Sequence, residues 1–163
     1  MAHPANGRFT TNGRPHIATS LTPHIVVENA EAAIDFYRDA FGARVGDITR
    51  FGATVAHVVL HFEAGMMTLS DPMPSNGLAA PDPERTTYSM ALYVSDVDET
   101  AVKAVALGAR LVEPPATFVN GDRFAVIVDP FGVRWPLMTR VEDLSPEESA
   151  ARVAAWSKSQ SAG

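Results

Sequence analysis

Cysteine is absent from this 163-residue chain, which excludes disulfides, thiolate metal ligands and a thiol nucleophile, and fits a reducing cytoplasm. Long apolar runs are absent too: none approaches the roughly 20 residues that span a bilayer. Positive charge is scarce, with 13 Lys and Arg against 19 Asp and Glu and a net charge of −6. That balance argues against nucleic acid or an anionic membrane as partner. There is no Gly-x-Ser-x-Gly elbow, no phosphate loop and no glycine fingerprint after a strand. Residues 1–20 lack the apolar core of a signal peptide. What remains is a chain that is 46% hydrophobic and long enough to bury a proper core in one domain or two small ones.

Residues 1–20, containing AHPANGRFTTNGRP, collect turn formers and small polar residues and are expected to form a flexible arm. Pattern begins after it. The β-branched run at 22–27 (TPHIVV) reads as a strand, and Asn29 as the N-cap of a helix in which Ala33, Ile34, Phe36, Tyr37 and Phe41 form one apolar stripe. Gly42 stops that helix. Strands are expected at 44–50, 54–62 and 66–71. After a proline-rich linker at 72–85 the order repeats. A strand at 88–94 precedes a helix capped by Asp96 with Glu99, ended by Gly108, and strands follow at 110–118, 123–128 and 134–139. Gly-Ala-Arg stands at 42–44 and again at 108–110, each time between helix and strand. The expected fold is therefore α+β, two βαβββ modules at 21–71 and 86–142. Each module is read as a curved-sheet half-barrel helping to form a cavity. A final segment at 143–163 opens with Ser145-Pro146-Glu147-Glu148, a capped helix start in which Trp156 is the expected docking anchor.

DFYRDAFGA at 35–43, DPFGVRW at 129–135 and the paired modules together resemble the vicinal oxygen chelate superfamily, in its glyoxalase/bleomycin-resistance branch. The resemblance covers about three quarters of the chain. It implies a small-molecule cavity and a homodimer. In metal-dependent relatives it also implies one ligand from the first and last strand of each module. Counted from Phe36-Tyr37, Asp96 and DPFG, those positions fall on Thr22, Thr68, Ser89 and Pro136. None offers an imidazole or a carboxylate, and hydroxyls are weak ligands for a borderline divalent ion. The expectation is a chain with no metal site and no cofactor.

Strand alternation then selects the side chains able to meet a ligand. At 55–62 one face carries Ala56, Val58, Leu60 and Phe62 and should pack on the helix, leaving His57 and His61 on the other. As strand residues those two stand about 13 Å apart, too far to share an ion. His24 shares the ligand-side face with Thr22 and is the leading candidate for proton transfer. His57 and Tyr93 are the other candidate catalytic residues. Met66 and Met138 would give flexible apolar contact, and Arg134 could meet an anionic group, though a surface salt bridge is its commoner fate. Asp129 is read as capping the DPFG turn. Two functions fit. One is metal-free binding of an apolar or aromatic small molecule enclosed between the sheets. The other is a metal-independent isomerase, cyclase or lyase using a cavity histidine.

Overall fold

The computed structural model describes residues 7–82 and 85–161. Residues 1–6 of the expected arm, 83–84 of the linker and 162–163 of the tail lie outside the described residues. The chain divides into two units, residues 1–80 and 81–163, each with its own core. The fold is α+β, two βαβββ modules with a C-terminal helix.

The described part of the arm holds a small hairpin that the sequence reading did not expect, β1 (Thr10–Thr11) paired with β2 (Arg14–Pro15). Its turn is Asn12-Gly13, both at positive φ (50° and 77°), the conformation a two-residue hairpin needs.

Module one runs β3 (His24–Val26), α1 (Ala30–Phe41), β4 (Arg44–Phe51), β5 (Thr54–Phe62) and β6 (Gly65–Ser70), in the sheet order β3-β6-β5-β4. β3 lies parallel to β6 and the other pairs are antiparallel. α1 buries four of the five expected stripe residues, Ala33, Ile34, Phe36 and the fully enclosed Tyr37, with Phe41 half-buried at its end. Opposite it, register places Val58 beside Leu69 and Leu60 beside Met67, and all four are buried. Each such side chain contributes about 1.5–3 kcal/mol on burial. Asp71 fastens the entry to the helix: its carboxylate accepts from Ala30 N (2.8 Å) and Val55 N (2.7 Å).

Module two repeats the plan with β7 (Leu92–Tyr93), α2 (Val97–Ala106), β8 (Arg110–Thr117), β9 (Asp122–Val128) and β10 (Arg134–Arg140), in the order β7-β10-β9-β8. Both first strands are shorter than the runs at 22–27 and 88–94, and β7, at two residues against three in β3, loses one further bond for a covalent reason. In module one Thr68 N donates to Pro23 O (2.9 Å). The equivalent residue of β10 is Pro136, which has no N–H to give, so the parallel ladder is regular only over Leu92–Tyr93. Behind it, Trp135 is buried and its Nε1 donates to Asp129 Oδ2 (2.8 Å), while Asp129 Oδ1 accepts from Phe131 N and Val133 N (2.9 Å each). The DPFG turn is thus closed by its own aspartate. α3 (Pro146–Gln160) starts in a reciprocal Ser145–Glu148 capping box, which holds the Glu148 carboxyl below its ordinary range. None of its residues is buried, and Trp156 meets Phe118 edge-on at 5.0 Å. Among the described residues no helix is long and apolar enough to cross a membrane.

Candidate functional site

Each sheet has one face covered by its helix and one turned away from it. In module one the uncovered face carries all three strand histidines, because alternation puts His57, Val59 and His61 opposite in direction to Val58 and Leu60. Across the ladders, Val59 lies beside Thr68 and His61 beside Met66. His24 lies beside Thr68 on the other side.

His24 is the centre of this face. Its Nδ1 is 2.8 Å from Thr68 Oγ1 and its Nε2 is 3.3 Å from Ser70 Oγ. Thr68 Oγ1 also donates to Pro23 O at 3.4 Å. Assigning protons so that all three contacts are used makes Nδ1 the donor to Thr68 and Nε2 the acceptor from Ser70. The His24 ring lies 6.3 Å from that of His57 and within 6° of parallel to it. Partial burial, and then the charge of His57, push the His24 pKa below its ordinary value. At neutral pH the imidazole is therefore uncharged, with one nitrogen lone pair.

Gly46, in the irregular stretch of β4 between Val45 and Ile48, makes room for His61 and Val59 on the same face. A Cβ there would stand 3.2 Å from His61 Nε2 and Val59 O, and 3.3 Å from Val59 Cβ.

The uncovered face of module two is built differently. Met138 lies beside Tyr93 and Phe124, and Arg134 beside Val128. Arg134 pairs with Glu113 (2.9 Å). Tyr93 donates its hydroxyl to Asp122 Oδ2 (3.1 Å), a buried carboxylate that also takes Asn120 Nδ2 (2.7 Å) and lies 2.8 Å from Arg140 Nε. Tyr93 itself is 56% exposed.

Two positions inferred by counting need correction. Thr22 lies before β3 and shares a hydroxyl contact with Thr19 (2.9 Å), while the residue opposite Thr68 is His24. Likewise Ser89 is exposed and outside β7, and extending the Leu92–Leu137 register by one residue puts Ala91 opposite Pro136. The cross-strand positions are thus His24 and Thr68 in module one, Ala91 and Pro136 in module two. This set does not fit a divalent ion: its single imidazole has both nitrogens engaged by hydroxyls, and alanine and proline offer no donor. Among the described residues no three His, Asp or Glu side chains come close enough to hold a metal ion. The structure therefore brings His24, His57, Thr68 and Ser70 together, with Met66 and His61 farther along the same face. Tyr93, Arg134 and Met138 stand on the separate module-two face. Ser70 and Gly46 were missed. Ser70 was legible, since Met66, Thr68 and Ser70 alternate onto one face.

Residues 13–137 match the family model described as Glyoxalase/Bleomycin resistance protein/Dioxygenase superfamily. An uncharacterized protein of Mycobacterium bovis is 30% identical over 141 residues, spanning 83% of this chain and 93% of the relative. Among solved structures, TioX from Micromonospora sp. ML1 is similar with a TM-score of 0.61 at 22% identity, covering 76% of this chain and 99% of TioX. A glyoxalase/bleomycin resistance protein/dioxygenase from Nocardioides gives 0.56 at 22% identity, covering 83% and 90%. At such identities these two structures speak for the fold alone.

Proposed function

The chain belongs to the Glyoxalase/Bleomycin resistance protein/Dioxygenase superfamily, and from that premise we propose that it binds a flat, apolar or aromatic small molecule without a metal ion, on the uncovered face of module one. The observation that carries this reading is His24, fixed between Thr68 and Ser70 with its ring parallel to His57. A rigid neutral imidazole offers a planar apolar surface and pays little conformational entropy when a ligand arrives. Val59 and the Met66 thioether continue the apolar part of the face, and a thioether adapts to ligand shape. The paired hydroxyls supply orientation, as a few polar groups do in most small-molecule sites.

A thermal-shift screen of aromatic compounds against the full chain tests this. At least one compound should raise the melting temperature, and His24→Ala should weaken that compound about tenfold, the loss of one good contact. No stabilising compound, or an affinity indifferent to His24→Ala, would overturn it.

One observation favours a second reading. The His24 pKa is lowered, so the imidazole is unprotonated at neutral pH, and Nε2 can act as a base once a substrate displaces the Ser70 hydroxyl from it. In a metal-independent isomerase, cyclase or lyase that nitrogen takes a substrate proton and later returns it. Chromatography of each stabilising compound after incubation separates the two: recovery unchanged supports binding, recovery as an isomer or fragment supports catalysis.

A further inference from the structure

Arginine supplies eleven of the thirteen basic residues of this acidic chain, and several have an acidic partner. Arg50, Arg123, Arg134, Arg140 and Arg152 each reach a carboxylate within 2.9 Å. Among the described arginines of the two βαβββ modules and their linker, Arg44, Arg85 and Arg110 make no such pair. Two of these three, Arg85 and Arg110, line one cavity of about 180 Å³ together with Arg134, Thr86, Val112 and Gly132.

The backbone explains the convergence. Arg110 opens β8, Arg134 opens β10, and both lie opposite Val128 at the end of β9. The two arginines thus stand in a row on the same face, about 10 Å apart across two inter-strand spacings. Arg85 reaches the cavity from the segment before β7. Three guanidinium groups against the single Glu113 carboxylate leave an excess of two positive charges. Nearby Asp129, held by two backbone N–H groups and the Trp135 indole, keeps its negative charge and offsets one of these two, leaving the row of guanidinium groups with the larger charge. Uncompensated like charges at close range repel, and an anion removes that cost through forked N–H···O⁻ bonds. The volume is below the roughly 300–1,000 Å³ of a drug-sized site and suits one compact group.

We propose that this module-two cavity binds a doubly charged oxyanion, a phosphate group, held by Arg85, Arg110 and Arg134. It lies wholly within the second unit, residues 81–163.

Calorimetric titration of the full chain with inorganic phosphate, at ionic strength held constant with sodium chloride, tests the proposal. Saturable one-to-one binding is expected. Arg110→Gln should weaken it at least about tenfold; Arg110 is exposed and unpaired, so this variant should keep the parent circular dichroism and melting temperature in phosphate-free buffer. Arg44→Gln, which removes an unpaired arginine from the other module, should leave phosphate affinity unchanged. A phosphomonoester such as glycerol 3-phosphate distinguishes the sources: tighter binding identifies the phosphate terminus of a larger ligand, equal binding the free anion. No saturable binding, an affinity unaffected by Arg110→Gln, or an equal loss in Arg44→Gln would overturn the site in favour of diffuse charge.

Discussion

The two modules are built on one frame, and aligning them through their ladders shows what each half does with it. Leu69 corresponds to Leu137, Leu60 to Ile127, Met67 to Trp135 and Val58 to Ala125, apolar positions that all turn toward the helix. On the uncovered face the pairs diverge in chemistry. His24 corresponds to Ala91, Thr68 to Pro136, Ser70 to Met138, His57 to Phe124, His61 to Val128 and Met66 to Arg134. Arg44 and Arg110 are equivalent, yet only Arg110 stands in a row with a second arginine. Packing a helix on a sheet restricts one face to apolar side chains. The other face is free to become hydroxyl and imidazole in one module, ion pairs in the other.

The comparison breaks most sharply at its covered face. Trp135→Ala should cost about 3–5 kcal/mol, leaving Asp129 Oδ2 without its indole donor, as urea unfolding would register. A loss below about 1 kcal/mol would mean that module two does not depend on this anchor.

The uncovered faces should answer more quietly and unequally. Arg140→Gln removes the cation beside the buried Asp122 carboxylate and should cost roughly 1–3 kcal/mol. In module one the corresponding ion pair lies at the helix instead, and Arg50→Gln, which breaks the exposed contact with Glu31 of α1, should cost less than about 1 kcal/mol. Equal losses by denaturant titration would remove the distinction between a pair on a buried carboxylate and an exposed one.

The smallest effect separates the modules by pH. With the His24 pKa lowered in the folded state, the unfolded chain binds more protons as pH falls through the ordinary value of 6.5. Stability is therefore full above about 6.5 and declines below it, until the folded imidazole also protonates. The Asp98 and Glu148 carboxyls, held low by Arg123 and by the Ser145 cap, act at more acidic pH. His24→Gln should flatten the melting-temperature profile between about pH 6.5 and 5; an unchanged slope would assign it to other histidines.

Periodicity and caps were enough to read all three helices, the long strands and the modular repeat. So was the separation of His57 and His61 from the core, because side-chain direction in a strand depends only on counting by twos. The first strand of each module was less legible. Its register is set by parallel pairing with a strand more than 40 residues on, which counting back from a helix does not reveal. That is why His24 and Ala91 occupy the positions assigned to Thr22 and Ser89. The missing N–H of Pro136 lay in plain view, but its effect depended on knowing which carbonyl it faced.

The hydrogen at position 46 has a further consequence. Even one methyl there would press on the His61 imidazole and on the Val59 backbone together, and the backbone is held by its ladder. The ring and the strand beneath it would each have to give by a few tenths of an ångström. The shape of the histidine-bearing surface thus depends on a side chain that the protein leaves out, and enlarging residue 46 is a way to re-aim His61 while every histidine stays in place.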